Sequence, residues 1–207
     1  MKIMIDGKRT SARSLLLAHG AGAPSDSDFM NSMAAALAKQ GIRVGRFEFP
    51  YMEKRRDDGK RRPPDREPIL RETCQEAFAE FDNGTPCLIG GKSMGGRIAT
   101  MVAADAEVEA AGVVCLGYPF HPTGRPEKLR VAHLANLTVP TLIVQGARDP
   151  FGNMEEYHTF KVQNSRIEMF WLADGNHDLK PRKASGMTHE EHLQTAVQRI
   201  ADWMDAI

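Results

Sequence analysis

The sequence predicts an α/β fold: a doubly wound, mostly parallel sheet of six to seven strands with helices on both faces. Three observations carry this. Short apolar runs alternate with helix-periodic segments from end to end. The apolar runs are nearly continuous, as in strands buried on both faces. The chain has 207 residues with 42% hydrophobic side chains, enough for one full core. No linker or internal repeat divides the chain, so residues 1–207 read as a single domain.

The elements follow in order. Met1 to Asp6 reads as a weak edge strand and Ser14 to Ala18 as the first buried one. Met30, Met33, Ala34 and Leu37 then recur at helical spacing, and Gly41 closes that helix. Ile42 to Phe49 is the next strand, and Leu70, Cys74, Ala77, Phe78 and Phe81 form a helical stripe. Cys87 to Gly91 is a strand, followed by a helix over Arg97 to Ala104. Ala111 to Leu116, Thr141 to Gln145 and Arg166 to Leu172 are further strands, with a short helix expected over Glu127 to Leu134. The last helix carries Leu193, Ala196, Val197, Ile200 and Trp203 on one face, and Thr188 with Glu191 form a capping-box pattern at its start. Met52 to Pro64 stands apart as a charged segment with six Lys or Arg side chains. It reads either as a solvated loop or as an anion-binding rim.

Composition narrows the function classes. Formal net charge is zero, with 27 basic and 27 acidic side chains, so no global field favours nucleic acid or an anionic membrane. The apolar run Leu15 to Ala18 is too short for a signal segment or a membrane span. Cys74, Cys87 and Cys115 are too few for a disulfide framework; they suit a reducing cytoplasm. A small-molecule substrate is the expected partner, and a homo-oligomer is compatible with these features. The histidines outside the loops discussed below lack metal-ligand spacing, and neither a dinucleotide fingerprint nor a P-loop is present, so neither metal nor cofactor is expected. His189 and His192 read as residues of an exposed helix start.

The chemistry concentrates in four loops. Gly91-Lys92-Ser93-Met94-Gly95 fits G-x-S-x-G between a strand and a helix. That context puts a serine on a strained turn with its hydroxyl above the sheet edge. A serine hydroxyl needs an adjacent base, itself oriented by a third group. Asp149 follows the strand Thr141–Gln145 and His177 follows the last strand, so each lies at the carboxyl edge of a parallel sheet. Ser93, Asp149 and His177 therefore form a candidate nucleophile, acid and base. Asp149 as a helix cap, beside Asn153 and Glu156, is the competing reading; Asp174 and Asp178 are its rivals for the acid role. The glycine-rich turn His19 to Pro24 is a candidate oxyanion site, with the Ala21 N–H as one donor and the Met94 N–H, at the helix start, as the other. His19 reads as a brace of that turn. His121 and Tyr51 are candidate substrate-rim residues, with turn packing as the alternative for His121. Lys92 reads as a residue that packs or is solvated.

Leu15 to Gly22, the serine turn, Gln145 to Asp149 and Gly175 to His177 together resemble the α/β-hydrolase superfamily. With Phe49 to Met52 and Gly117 to Pro122, the chain is similar to its small cap-less branch. That branch is related to dienelactone hydrolases and includes the family of the testis-expressed 30 protein and the hydrolase-like domain of an NSL histone-acetyltransferase complex subunit. The resemblance spans nearly the whole chain and implies a serine triad at Ser93, Asp149 and His177. Dienelactone hydrolases themselves carry a cysteine where this chain has Ser93. Only Gly117 to Pro140 separates two successive strands, too little for a cap. The expected activity is hydrolysis of an ester, thioester or related acyl bond through an acyl-enzyme; the alternative is a non-catalytic binding or scaffold module.

Overall fold

The computed structural model describes residues 1–207. Seven strands form one sheet: β1 (Met4–Asp6), β2 (Arg13–Ala18), β3 (Ile42–Phe47), β4 (Cys87–Lys92), β5 (Val113–Leu116), β6 (Thr141–Gly146) and β7 (Ile167–Leu172). Their spatial order is β1-β3-β2-β4-β5-β6-β7; β1 pairs antiparallel with β3 and every other pair is parallel. The chain steps outward from β2 to β3, then returns to place β4 on the other side of β2. That reversal opens a crevice at the carboxyl ends of β2 and β4, where ligands of open α/β sheets bind.

Two apolar layers cover the sheet. On one face, α1 (Asp28–Lys39) and α6 (His189–Ala206) bury Met33, Leu37, Val197, Ile200 and Trp203 against β2, β3, β5 and β6. On the other, α3 (Glu67–Phe81) and α4 (Met94–Ala104) bury Cys74, Phe78, Phe81, Ile98 and Val102. The Thr188/Glu191 capping box at α6 is formed, each partner bonding the other's backbone N–H.

Several boundaries differ from the expectation, each for a local reason. The charged segment 52–64 is not all loop: α2 spans Pro50–Asp58. Pro50 sits in the first turn, where it costs no hydrogen bond, and Gly59 closes the helix in the left-handed region, its N–H bonding Arg55 O. Only Tyr51 and Met52 are buried, so no apolar stripe announces this helix. Residues 127–131 are not helical; a 3-10 turn covers Ala132–Asn136 instead and inserts Leu134 into the core. Strand β5 begins at Val113; just before it Ala111 N–H bonds Cys87 O at the start of β4. Helix α4 begins at Met94, immediately after the serine. The segment between β5 and β6 carries only the 3-10 turn, so no cap covers the crevice. α5 (Met154–Tyr157) is one short turn capped by Asn153 and Glu156. His192 is buried rather than exposed, with Nδ1 donating to Leu179 O at 2.8 Å.

Candidate active site

Ser93 occupies the turn between β4 and α4 with φ 53° and ψ −116°, a conformation L-residues rarely adopt. Gly91 and Gly95 on either side lie against the backbone of Ala18, which lets β2, β4 and α4 meet this closely. The Ser93 Oγ lies 2.9 Å from His177 Nε2, and His177 Nδ1 lies 2.8 Å from Asp149 Oδ2. Asp149 is fully buried, while His177 is partly exposed at the cleft. The carboxylate can only accept, so Nδ1 carries the proton and Nε2 presents its lone pair to the serine hydroxyl. The Phe151 ring packs on the imidazole, with centroids 4.4 Å apart.

Asp149 is held by neighbours the sequence does not mark. Phe151 N–H donates to Asp149 Oδ1 at 2.8 Å, and Gln145 Nε2 donates to Asp149 Oδ2 at 3.0 Å. Gln145, at the end of β6, is completely buried; its amide also bonds both the N–H and the carbonyl of Tyr118. It thus ties the loop after β5 to the loop carrying Asp149. In sequence it is only the polar end of an apolar strand, and nothing there separates it from a solvent-facing terminus. The rival carboxylates are committed elsewhere. Asp174 accepts from Arg148 and Arg182, and Asp178 pairs with Lys92.

The Arg182 hydrogen bonds hold Asp174 down to about 2, below the usual carboxylate value. Its folded pKa is depressed, so its contribution to stability is complete above about pH 4 and is lost as pH falls towards about 2. Asp174→Asn is therefore expected to lower the urea midpoint at neutral pH, with the gap to wild type closing across that acid window. A gap independent of pH would assign the effect to something other than this ion pair.

The glycine-rich turn after β2 faces the serine. His19 is buried, with Nδ1–H donating to Gly20 O at 2.7 Å and Nε2 accepting from Phe49 N–H at 3.1 Å. Both ring nitrogens are spent, and burial holds its pKa below the usual imidazole value. It is a neutral brace, unavailable as a base. Tyr51 O–H donates to Ala21 O at 3.0 Å and lies 3.4 Å from Gly20 O. In a trans peptide the carbonyl and the following N–H point opposite ways. Holding Gly20 O inward therefore turns the Ala21 N–H outward. That N–H and the Met94 N–H, first of α4, have no partner within the protein. Tyr51→Phe is expected to leave the fold intact and to reduce kcat about tenfold, the equivalent of one net hydrogen bond. Unchanged kcat would remove Tyr51 from the support of this turn.

Two of the sequence's candidates lie outside the cleft. Tyr51 does not rim it: only 1% exposed, it braces the turn from beneath. His121 does not rim it either. It is buried, bonded to Pro122 O at 2.9 Å and to Glu156 at 3.4 Å, and it packs on Phe160. The cleft holds about 290 Å³ and is lined by Ser93, His177, Lys92 and the 20–23 turn, with Phe29, Met30 and Phe151 as apolar walls. Of the cations in α2, Arg55 bonds Gly22 O beside the cleft, whereas Arg56 is paired with Glu48 and Asp26. No group of three or more His, Cys, Asp or Glu has the disposition of a metal site.

A strained serine turn at the switch point of a doubly wound sheet, facing a histidine from the loop after the last strand, is the arrangement of α/β hydrolases. The chain belongs to that family: the alpha/beta hydrolase domain matches residues 11–205. Solved structures of low identity share the fold. Dienelactone hydrolase from Anabaena variabilis is 18% identical, with a TM-score of 0.75 over 99% of this chain and 90% of that one. The esterase domain of a Rhodothermus marinus protein is 16% identical (TM-score 0.68, 97% and 89% covered). A monoacylglycerol lipase from Paleococcus ferrophilus is 13% identical (TM-score 0.69, 97% and 98% covered). No helix is long and apolar enough to cross a membrane.

Proposed function

We propose that this protein is a serine hydrolase that cleaves a carboxylic ester, thioester or related acyl bond through an acyl-enzyme. The observation that carries this reading is the continuous relay from Ser93 Oγ to His177 Nε2 (2.9 Å) and from His177 Nδ1 to Asp149 Oδ2 (2.8 Å). His177 takes the Ser93 proton as the oxygen attacks the acyl carbon, then gives that proton to the leaving group. Asp149 keeps the imidazole in the Nδ1–H tautomer and stabilises the imidazolium. The Ala21 and Met94 N–H groups receive the developing oxyanion; each such donor contributes about 3–4 kcal/mol in the transition state. Water then attacks the acyl-enzyme, with His177 as base.

The partner is a small-molecule acyl substrate. The uncapped cleft, about 290 Å³ with aromatic walls, suits a short or aryl acyl group whose leaving group extends into solvent. Fold neighbours described as esterase, thioesterase domain and monoacylglycerol lipase fit acyl-bond chemistry. Three buried free cysteines suit a reducing cytoplasm. A series of p-nitrophenyl esters of increasing acyl length tests the reading. Expected is turnover highest for the short acyl groups and abolished in Ser93→Ala. Equal rates in wild type and Ser93→Ala would leave the scaffold alternative standing.

A further inference from the structure

We propose that Lys92, the residue before the nucleophile, is a positioning residue that clamps the histidine loop to the serine turn; this rests on the serine-hydrolase reading. Lys92 Nζ donates to the His177 backbone carbonyl at 2.8 Å and lies 3.3 Å from Asp178 Oδ1. Its side chain is 9% exposed and passes beside the Phe29 ring, 5.4 Å from its centroid. Burying an ammonium costs free energy unless it is paired and hydrogen-bonded, and a methionine of similar length would fill this space without that cost. The chain nevertheless buries the cation and spends it on the base.

The surroundings are shaped to allow it. Gly117, after β5, adopts φ +68°; a Cβ there would stand 2.8 Å from His177 O and 3.3 Å from both His177 Nδ1 and Lys92 Nζ. The loop after β5 thus lacks a side chain where lysine and histidine loop meet. Ser93 N–H bonds Leu116 O at 3.0 Å, so the backbone of the nucleophile is pinned to β5 on the same edge. The loop after β7 has one lateral hold from the loop after β6, where Arg148 donates to Asp174. Lys92 gives another from the residue adjacent to the nucleophile, so that serine and base move as one unit.

The clamp has two consequences. Losing it lets Nε2 drift from Ser93 Oγ, which lowers kcat and leaves KM nearly unchanged, because the apolar walls Phe29, Met30 and Phe151 stay in place. Losing it also frees the His177 ring to sample other positions, since its backbone carbonyl is the group that Lys92 holds.

The experiment compares wild type with Lys92→Met, following p-nitrophenyl acetate hydrolysis and the His177 ring signals by NMR at one pH. Lys92→Leu, which also removes the donor, is the second variant should Lys92→Met fold poorly, with the same expected outcome. Expected in Lys92→Met are a kcat lowered tenfold or more, KM within about threefold, and His177 ring signals broadened by exchange. Unchanged His177 signals overturn the proposal, as does an unchanged kcat in an active wild type or a loss of thermal stability with catalysis intact. The NMR comparison needs no turnover. If wild type is inert yet the Lys92→Met signals broaden, the clamp stands and the hydrolase reading fails.

Discussion

Replacing Asp149 with asparagine is expected to lower kcat by about 10³- to 10⁴-fold on an activated ester, with little change in KM. The side chain is fully buried and accepts from three donors: His177 Nδ1–H, Gln145 Nε2–H and Phe151 N–H. An amide cannot satisfy all three. With its NH₂ at the Oδ1 position, a donor meets the Phe151 N–H. With the NH₂ at the Oδ2 position, a donor meets Gln145, and Nδ1 must accept, so the ring proton moves to Nε2 and faces Ser93. The negative charge that stabilises the imidazolium is lost in both. Steady-state kinetics with a thermal melt of the same sample measure this. Activity within tenfold of wild type would remove Asp149 from the relay, and neither Asp174 nor Asp178 is free to replace it.

Gly95→Ala is expected to lower Tm by several degrees and kcat by about 100-fold together. A Cβ at this position would stand 2.4 Å from Ala18 O, 2.7 Å from Ala18 C and 2.7 Å from His19 O. All three are backbone atoms, so no side chain can rotate away. The end of β2 and the start of α4 must separate instead. Overpacking of this kind costs about 1–3 kcal/mol. The same separation moves the Ala21 N–H away from the Met94 N–H, and displacement of about 1 Å in a catalytic geometry costs about 100-fold. Stability and rate share one contact, so the two losses are expected in the same variant. Full activity at an unchanged Tm would show that β2 and α4 tolerate a wider approach than their spacing indicates.

The sheet is legible in the sequence because its strands are continuous apolar runs such as Leu15–Ala18 and Thr141–Val144, buried on both faces and bounded by glycine-rich loops. Loop order then singles out Ser93, Asp149 and His177, since each follows its own strand and parallel strands send those loops to one edge. What escapes the sequence depends on long-range partners. Helix α2 is hidden because it buries only Tyr51 and Met52, leaving capping by Pro50 and Gly59 as its signal. Gln145 and Lys92 carry polar heads whose burial is set by loops from other strands. Tyr51 and His121 lie near the crevice in sequence terms, yet their hydrogen bonds turn them into the protein interior. His192 sits in the first turn of α6, where exposure is the rule, but Leu179 folds back over it.

Ser93 as nucleophile is tested most directly by a fluorophosphonate probe with mass spectrometry of the intact and digested protein. The expected result is one phosphonyl adduct on the peptide containing Ser93, absent in Ser93→Ala and formed far more slowly in His177→Ala. A wild-type protein left unmodified while known serine hydrolases in the same tube react, or an adduct mapped to another residue, would contradict it.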